Sequence, residues 1–272
     1  MDNKMTNPED LIKLLTQQLD KNNYVTGLVL VGSQVRKDIY VADKYSDLEA
    51  YIIVKDENAE DLQKLLPGLI SKLGQIVFSY KNRWAGFSTV FEDLFRLELP
   101  IAKQSELFSV FCRPKAQIVK ILIDKTNGKL NSALSARPNN IDYEQLFQDN
   151  VKDFWYMVIV AVQYYKKGES YNSRSTLQIL TSSLIKLLEL LQDSRIVLLE
   201  SNKRIEQFLS IGQIELLKKV SPQYNNDQIK ESLKKIIDIF SDVSKQVSDK
   251  SNYRYEKNIE DKISRKLLEL LN

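Results

Sequence analysis

The texture of the chain changes once, at Ser135-Ala136-Arg137-Pro138-Asn139-Asn140, and that change constrains the fold more than any other feature. Before it, helix and strand signals alternate; after it, every signal is helical. A polar stretch containing Pro between two such regions has the composition of a linker or turn. With 272 residues, the chain is long enough for two ordinary domains of roughly 100–200 residues each. The expectation is therefore an α+β fold: an N-terminal domain over 1–135 with a mixed sheet and flanking helices, then an α-helical bundle over 141–272.

The first region opens on Asn7-Pro8-Glu9-Asp10. A capping residue, Pro at the first helical position and acids in the first turn start a helix, and Leu11, Ile12, Leu14, Leu15 and Leu19 follow at helical spacing. Gly27-Leu28-Val29-Leu30-Val31 is a short apolar run that reads as a strand buried on both faces. It stops at Gly32-Ser33. Ser46 to Val54 reads as a second strand, and Glu57 to Leu73 as a helix broken or kinked near Pro67. Gln75 to Tyr80, Ser88 to Glu92, Leu94 to Leu99 and Gln117 to Ile123 are further strand candidates.

In the second region Leu177, Leu180, Leu184, Leu187, Leu188 and Leu191 form one apolar stripe, and Ile229, Leu233, Ile236, Phe240, Val243 and Val247 another. Ile259, Ile263, Leu267 and Leu271 make a shorter third. With the aromatic segment Asp153 to Tyr165, the pattern predicts four or five helices. Trp155, Tyr156, Tyr164, Tyr165 and Tyr171 read chiefly as helix core, with lining of a ligand pocket as the alternative.

Composition limits the chemistry. The chain has no histidine and one cysteine, Cys112, so Ser-His-Asp triads, Cys-His dyads and imidazole or thiolate metal sites are excluded. Cys112 reads as a small buried apolar residue, and its solitude favours a reducing, cytoplasmic setting. A net charge of +3 is close to neutral for this length and predicts no nucleic-acid groove. The longest strictly apolar run, Phe154 to Val162, is well short of the ~18 residues that span a bilayer. The expectation is a soluble protein, monomer or homodimer, with no nucleic-acid or membrane partner.

Within these limits one stretch carries chemistry. A strand ending in Gly32-Ser33 can lay backbone N–H groups and a hydroxyl against a phosphate, since glycine permits close approach and a following helical turn favours an anion. Arg36, one turn on, could reach the same phosphates. Asp47 and Glu49 lie two apart on a strand, so both carboxylates share a face while Leu48, Ala50 and Ile52 take the other. Alone, an Asp-x-Glu pair is more often the solvated face of an edge strand, and a Gly-Ser is usually a turn. The order strand, Gly-Ser, basic turn, strand with paired acids is more restrictive, and it suits Mg²⁺-dependent phosphoryl transfer.

Leu30-Val31-Gly32-Ser33, thirteen residues, then Asp47-Leu48-Glu49-Ala50 resembles the nucleotidyltransferase signature of the DNA polymerase β-like superfamily. Tyr45-Ser46-Asp47-Leu48-Glu49-Ala50-Tyr51 is similar to a segment of bacterial antibiotic nucleotidyltransferases, the lincosamide enzymes in particular. Thr89 to Leu99, with its Arg96-Leu97-Glu98, resembles that family's strand bearing a third carboxylate. The resemblance implies transfer of AMP from ATP, or of another nucleoside monophosphate, to an antibiotic hydroxyl, with release of pyrophosphate. It implies nucleotide-binding roles for Gly32, Ser33 and Arg36, Mg²⁺ binding by Asp47 and Glu49, and a role for Glu98 as proton acceptor or further metal ligand. A lincosamide is the acceptor it favours and an aminoglycoside the second. A protein-modifying or non-catalytic nucleotide-binding relative is a third reading. The first domain would be the catalytic one and the helical domain would bind the acceptor.

Overall fold

A computed structural model of the chain describes residues 7–35, 42–111, 119–136, 141–192, 205–221 and 225–272. It divides into two compact units, Met1–Asn139 and Asn140–Asn272. The fold is α+β, with all the described strands in the first unit.

The first unit is built on a mixed seven-stranded sheet. Its strands are β1 (Val25–Val31), β2 (Leu48–Val54), β3 (Ile76–Lys81), β4 (Phe87–Phe91), β5 (Arg96–Leu99), β6 (Ile101–Lys103) and β7 (Lys120–Asp124). They are ordered β3-β4-β5-β2-β1-β7, with β6 also pairing β2. β5 and β6 both run parallel to β2, and the other pairings are antiparallel.

Helices α1 (Pro8–Asp20) and α2 (Ala59–Ile70) cover one face. Leu11, Leu15 and Leu19 of α1 and Leu62, Leu66 and Ile70 of α2 are buried with Leu28, Leu30, Leu48, Ala50, Ile52 and Val54 of the sheet. Each such Leu, Ile or Val side chain contributes about 2 kcal/mol on burial. Asn7 caps α1 as expected, its Oδ1 accepting from the Glu9 amide at 3.0 Å, with Pro8 opening the helix. Pro67 does not break α2. The apolar spacing of Leu62, Leu66 and Ile70 holds the helix to the sheet through the proline, and it ends one turn later, where the Ser71 amide donates to the Pro67 carbonyl at 3.0 Å.

The opposite face is covered over only part of its length. Helices α3 (Leu107–Phe111) and α4 (Lys129–Ser135) bury Leu107, Phe111, Leu130 and Ala133 against Val29 and Ile53, with Val31 and Tyr51 at the margin. Cys112 and residues 137–140 lie outside the described residues. β6 has no counterpart in the sequence pattern. Three residues after Pro100 are too few to show alternation, and the strand exists because the far half of β2 offers an edge, where the Ile52 amide donates to the Pro100 carbonyl at 2.9 Å.

The second unit contains α5 (Tyr143–Lys166), α6 (Ser170–Gln192), the single turn α7 (Ile205–Phe208), α8 (Ile211–Val220), α9 (Asn226–Ser251) and α10 (Lys257–Leu271). Among the described residues, five helices have ten residues or more, matching the upper end of the expectation. Asp142 caps α5 and Asn225 caps α9 through their side-chain oxygens. The leucine stripe of α6 and the Ile229 to Val247 stripe of α9 meet in one core with Phe147, Phe154 and Trp155. At its centre Phe154 and Phe240 stack 3.4 Å apart, with Trp155 edge-on to both. Leu267 and Leu271 close it from α10; the side chain of Ile259 is outside the described residues.

Candidate active site

β1 ends where glycine is required. Gly32 has φ +76°, a left-handed value that other residues adopt at a cost, and it turns the chain into the short 3-10 helix Gly32–Gln34 that presents Ser33. A Cβ added at Gly32 would lie 3.7 Å from Glu49 Oε2, so the Glu49 carboxylate sits directly against this turn. Val31 and Glu49 are register partners across β1 and β2.

Asp47 immediately precedes β2. Leu48, Ala50 and Ile52 are fully buried toward α1 and α2, which leaves Glu49 and Asp47 on the opposite face, beyond the part that α3 and α4 cover. Across the parallel β2–β5 pairing, Leu48 faces Leu97 and Glu49 faces Glu98. The third carboxylate therefore lies one strand from the second, on the same face.

Asp47 and Glu98 are each held by a side chain of the sheet. Arg96 Nη2 donates to Asp47 Oδ2 at 2.9 Å in a solvent-exposed ion pair. On the other side of β5, Ser88 Oγ donates to Glu98 Oε2 at 2.5 Å, Ser88 being the register partner of Glu98 in β4. The backbone leading in is also fixed: Gln34 Nε2 donates to the Asp47 carbonyl at 3.4 Å, and Asp43 Oδ1 accepts from the Tyr45 amide at 2.9 Å and from Ser46 Oγ at 3.0 Å.

Gly32, Ser33, Asp47, Glu49 and Glu98 are thus assembled at one end of one sheet face. Arg36 lies outside the described residues. The sequence reading missed Ser88 and the Arg96–Asp47 contact. A signal for Ser88 existed, because the β4–β5 hairpin turns about Asp93 and residues equidistant from that turn pair.

The donor set is all hard carboxylate oxygen, with hydroxyl and backbone groups at the Gly-Ser turn. Among the described residues no group of three His, Cys, Asp or Glu side chains is gathered closely enough to hold a metal ion alone. Mg²⁺ does not need one, since it is commonly bound by one or two carboxylates with the rest of its shell from phosphate and water. Asp47 and Glu49 fit that pattern.

In the helical unit, Trp155 is buried at 3% exposure while Tyr156 and Tyr171 are exposed at 68% and 67%. Trp155 therefore belongs to the core, whereas Tyr156 and Tyr171 stand at the surface, against the helix-core expectation for them. Together with Tyr156 it also lines a groove of about 280 Å³ beside Phe147, Val151 and Tyr255. No described helix is long and apolar enough to cross a membrane.

A family model described as streptomycin adenylyltransferase matches residues 5–269, and the chain belongs to that family. It is an adenylyltransferase. Among solved structures, an aminoglycoside 6-adenyltransferase from Bacillus subtilis is similar over 97% of this chain and 98% of its own, at 14% identity and a TM-score of 0.38. No curated protein matches.

Proposed function

We propose that the protein transfers AMP from ATP to a hydroxyl of an antibiotic, at the carboxylate face of the sheet, and so inactivates the drug. The observation that carries this reading is the register Val31–Glu49–Glu98, which gathers a Gly-Ser turn and half-buried carboxylates on one face of the sheet, in a chain of the streptomycin adenylyltransferase family.

Gly32 and Ser33 would hold the β- and γ-phosphates, with Arg36 adding charge. Asp47 and Glu49 would hold Mg²⁺, which supplies neutralisation of the triphosphate when bound. Glu98, kept in place by Ser88, would accept the proton of the acceptor hydroxyl; with no histidine in the chain, a carboxylate is the natural base. As that proton leaves, the acceptor oxygen forms a bond to the α-phosphorus and the bond to the β-phosphate oxygen breaks, releasing pyrophosphate. The entering and leaving oxygens lie in line on opposite sides of the phosphorus. Catalysis is assigned to the first unit, in a cytoplasmic protein that needs no nucleic-acid or membrane partner; acceptor binding by the helical unit is what the family resemblance alone implies.

The family's description favours an aminoglycoside acceptor. The lincosamide reading stands second, on the segment Tyr45 to Tyr51 alone. The test is pyrophosphate release over a panel containing streptomycin, lincomycin and clindamycin, with each of the four nucleoside triphosphates and Mg²⁺. Turnover of streptomycin with ATP, abolished by EDTA and restored by Mg²⁺, is the expected result. Turnover of lincomycin alone would move the acceptor to the second reading, and nucleotide binding with no transfer to any acceptor would overturn both.

A further inference from the structure

The row of side chains that carries Glu49 and Glu98 does not stop at Ser88. β4 pairs with β3, and the residue opposite Ser88 is Tyr80; Phe78 is opposite Val90, the partner of Arg96. Directly paired residues of an antiparallel ladder point to the same side. Tyr80 and Phe78 therefore stand on the carboxylate face, and their rings stack at 6.3 Å with an interplanar angle of 28°. Both are half exposed, at 54% and 52%. The opposite side of β3 is different in character: Ser79 Oγ bonds Thr89 Oγ1 at 2.8 Å, and Lys81 Nζ donates to Gln63 Oε1 of α2 at 2.7 Å.

An exposed aromatic stack at the end of a row of acids has a direction relative to the proposed reaction. The Gly32-Ser33 turn lies at the β1 end of the row and Tyr80 at the β3 end, with Glu49 and Glu98 between. If the pyrophosphate leaves toward Gly32-Ser33, the in-line requirement brings the entering hydroxyl from the Glu98 side. Tyr80 is two strands beyond Glu98, about 10 Å at the usual strand spacing, a span that a ligand of two sugar rings bridges. Aromatic faces attract cations and accept the apolar face of a ring, and among the described residues β3 presents no cation on this side to compete.

We infer that Phe78 and Tyr80 form the platform on which the acceptor lies, its cationic group seated over these rings. This rests on the proposed transfer reaction and assigns its acceptor side to the β3 edge of the first unit, in place of the helical unit that the resemblance implies.

The test is steady-state kinetics with streptomycin, Mg²⁺ and ATP on the full chain, comparing Phe78→Ala, Tyr80→Ala, the double variant, Tyr80→Phe and Ser79→Ala. The KM for streptomycin should rise by roughly 10-fold in the double variant, with kcat and the KM for ATP within about twofold. Tyr80→Phe should restore most of the loss. Ser79, on the other face of the same strand opposite Thr89, should be silent, which separates a lost platform from a disturbed strand. A rise in the ATP KM alone would make the pair a nucleobase site and overturn the inference. Unchanged kinetics with an altered sedimentation coefficient would mean that a second copy covers this edge, and would also overturn it. If the wild-type protein transfers AMP to no acceptor, the proposed function itself fails and the platform with it; if it transfers AMP and the double variant is unaffected, only the platform fails.

Discussion

Gly86→Ala tests whether the β3–β4 hairpin is locked against the strand that carries Glu98. Gly86 precedes β4, and a Cβ built there would lie 1.8 Å from the Leu99 carbonyl oxygen and 2.7 Å from both the Leu99 carbonyl carbon and the Pro100 Cα. Backbone cannot yield as a flexible side chain does. To reach even 3.0 Å the two segments must part by 3.0 − 1.8 = 1.2 Å, about a quarter of the normal spacing between strands. One hydrogen bond crosses this gap, Ile101 N to Trp84 O at 3.3 Å, and two inside the turn fix the position of Gly86 and are strained if it shifts, Asn82 N to Gly86 O at 2.9 Å and Gly86 N to Asn82 Oδ1 at 3.1 Å. At about 1 kcal/mol each, with strain added, the expected loss is about 3 kcal/mol. The chain has two tryptophans, Trp84 in this hairpin and Trp155 in the helical core, so urea unfolding in a Trp155→Phe background reads the first unit through Trp84. The expected result is a lower midpoint for Gly86→Ala and reduced turnover, because Leu99 follows Glu98 directly. A variant within about 0.5 kcal/mol of its parent would refute the reasoning.

The remaining predictions concern the acids. Asp47→Asn and Glu49→Gln should each abolish AMP transfer in the pyrophosphate assay while leaving the unfolding midpoint unchanged. Glu98→Gln should slow transfer by about 10²–10⁴-fold, the usual range for losing a general base, with nucleotide binding by calorimetry retained. Arg96→Ala should cost no more than about 1 kcal/mol in urea unfolding, because its pair with Asp47 is exposed. Glu260, 7% exposed on α10, has its carboxyl pushed above the ordinary 4.5 by burial, against a hydrogen bond from Ser241 and with help from Asp261 and Asp242. An acid whose folded pKa is raised opposes folding when ionised, so the penalty is absent below the unfolded value and grows as the pH rises through it. Glu260→Gln should therefore stabilise the helical unit at neutral pH and lose that advantage below about pH 4.5, as urea unfolding at the two pH values would show.

Much of this architecture was legible because it is local. Asn7-Pro8 starts α1, the leucine stripes define α6 and α9, and the alternation around Leu48 separates the acids from the core without reference to any other part of the chain. What remained hidden depends on partners distant in sequence. The face of Glu49 could be read from alternation, whereas Glu98 entered the site only through the family resemblance, since a parallel pairing between β2 and β5 leaves no periodic trace in either strand. Arg96 on Asp47 leaves no such trace either. β6 is the extreme case, three residues whose conformation is dictated by the edge they join. Pro67 shows the converse, a strong local signal overridden by three buried side chains of its own helix.

The separation of the hydrophobic clusters has a practical consequence. Every buried cluster residue between Leu11 and Ala133 packs within the first unit, and every one between Phe147 and Leu271 within the second. A recombination point placed at 136–141 therefore cuts through no cluster. Chimaeras that join the sheet of this chain to the helices of a relative should keep both sets of interior contacts whole, which makes this boundary the natural place to shuffle the family's halves.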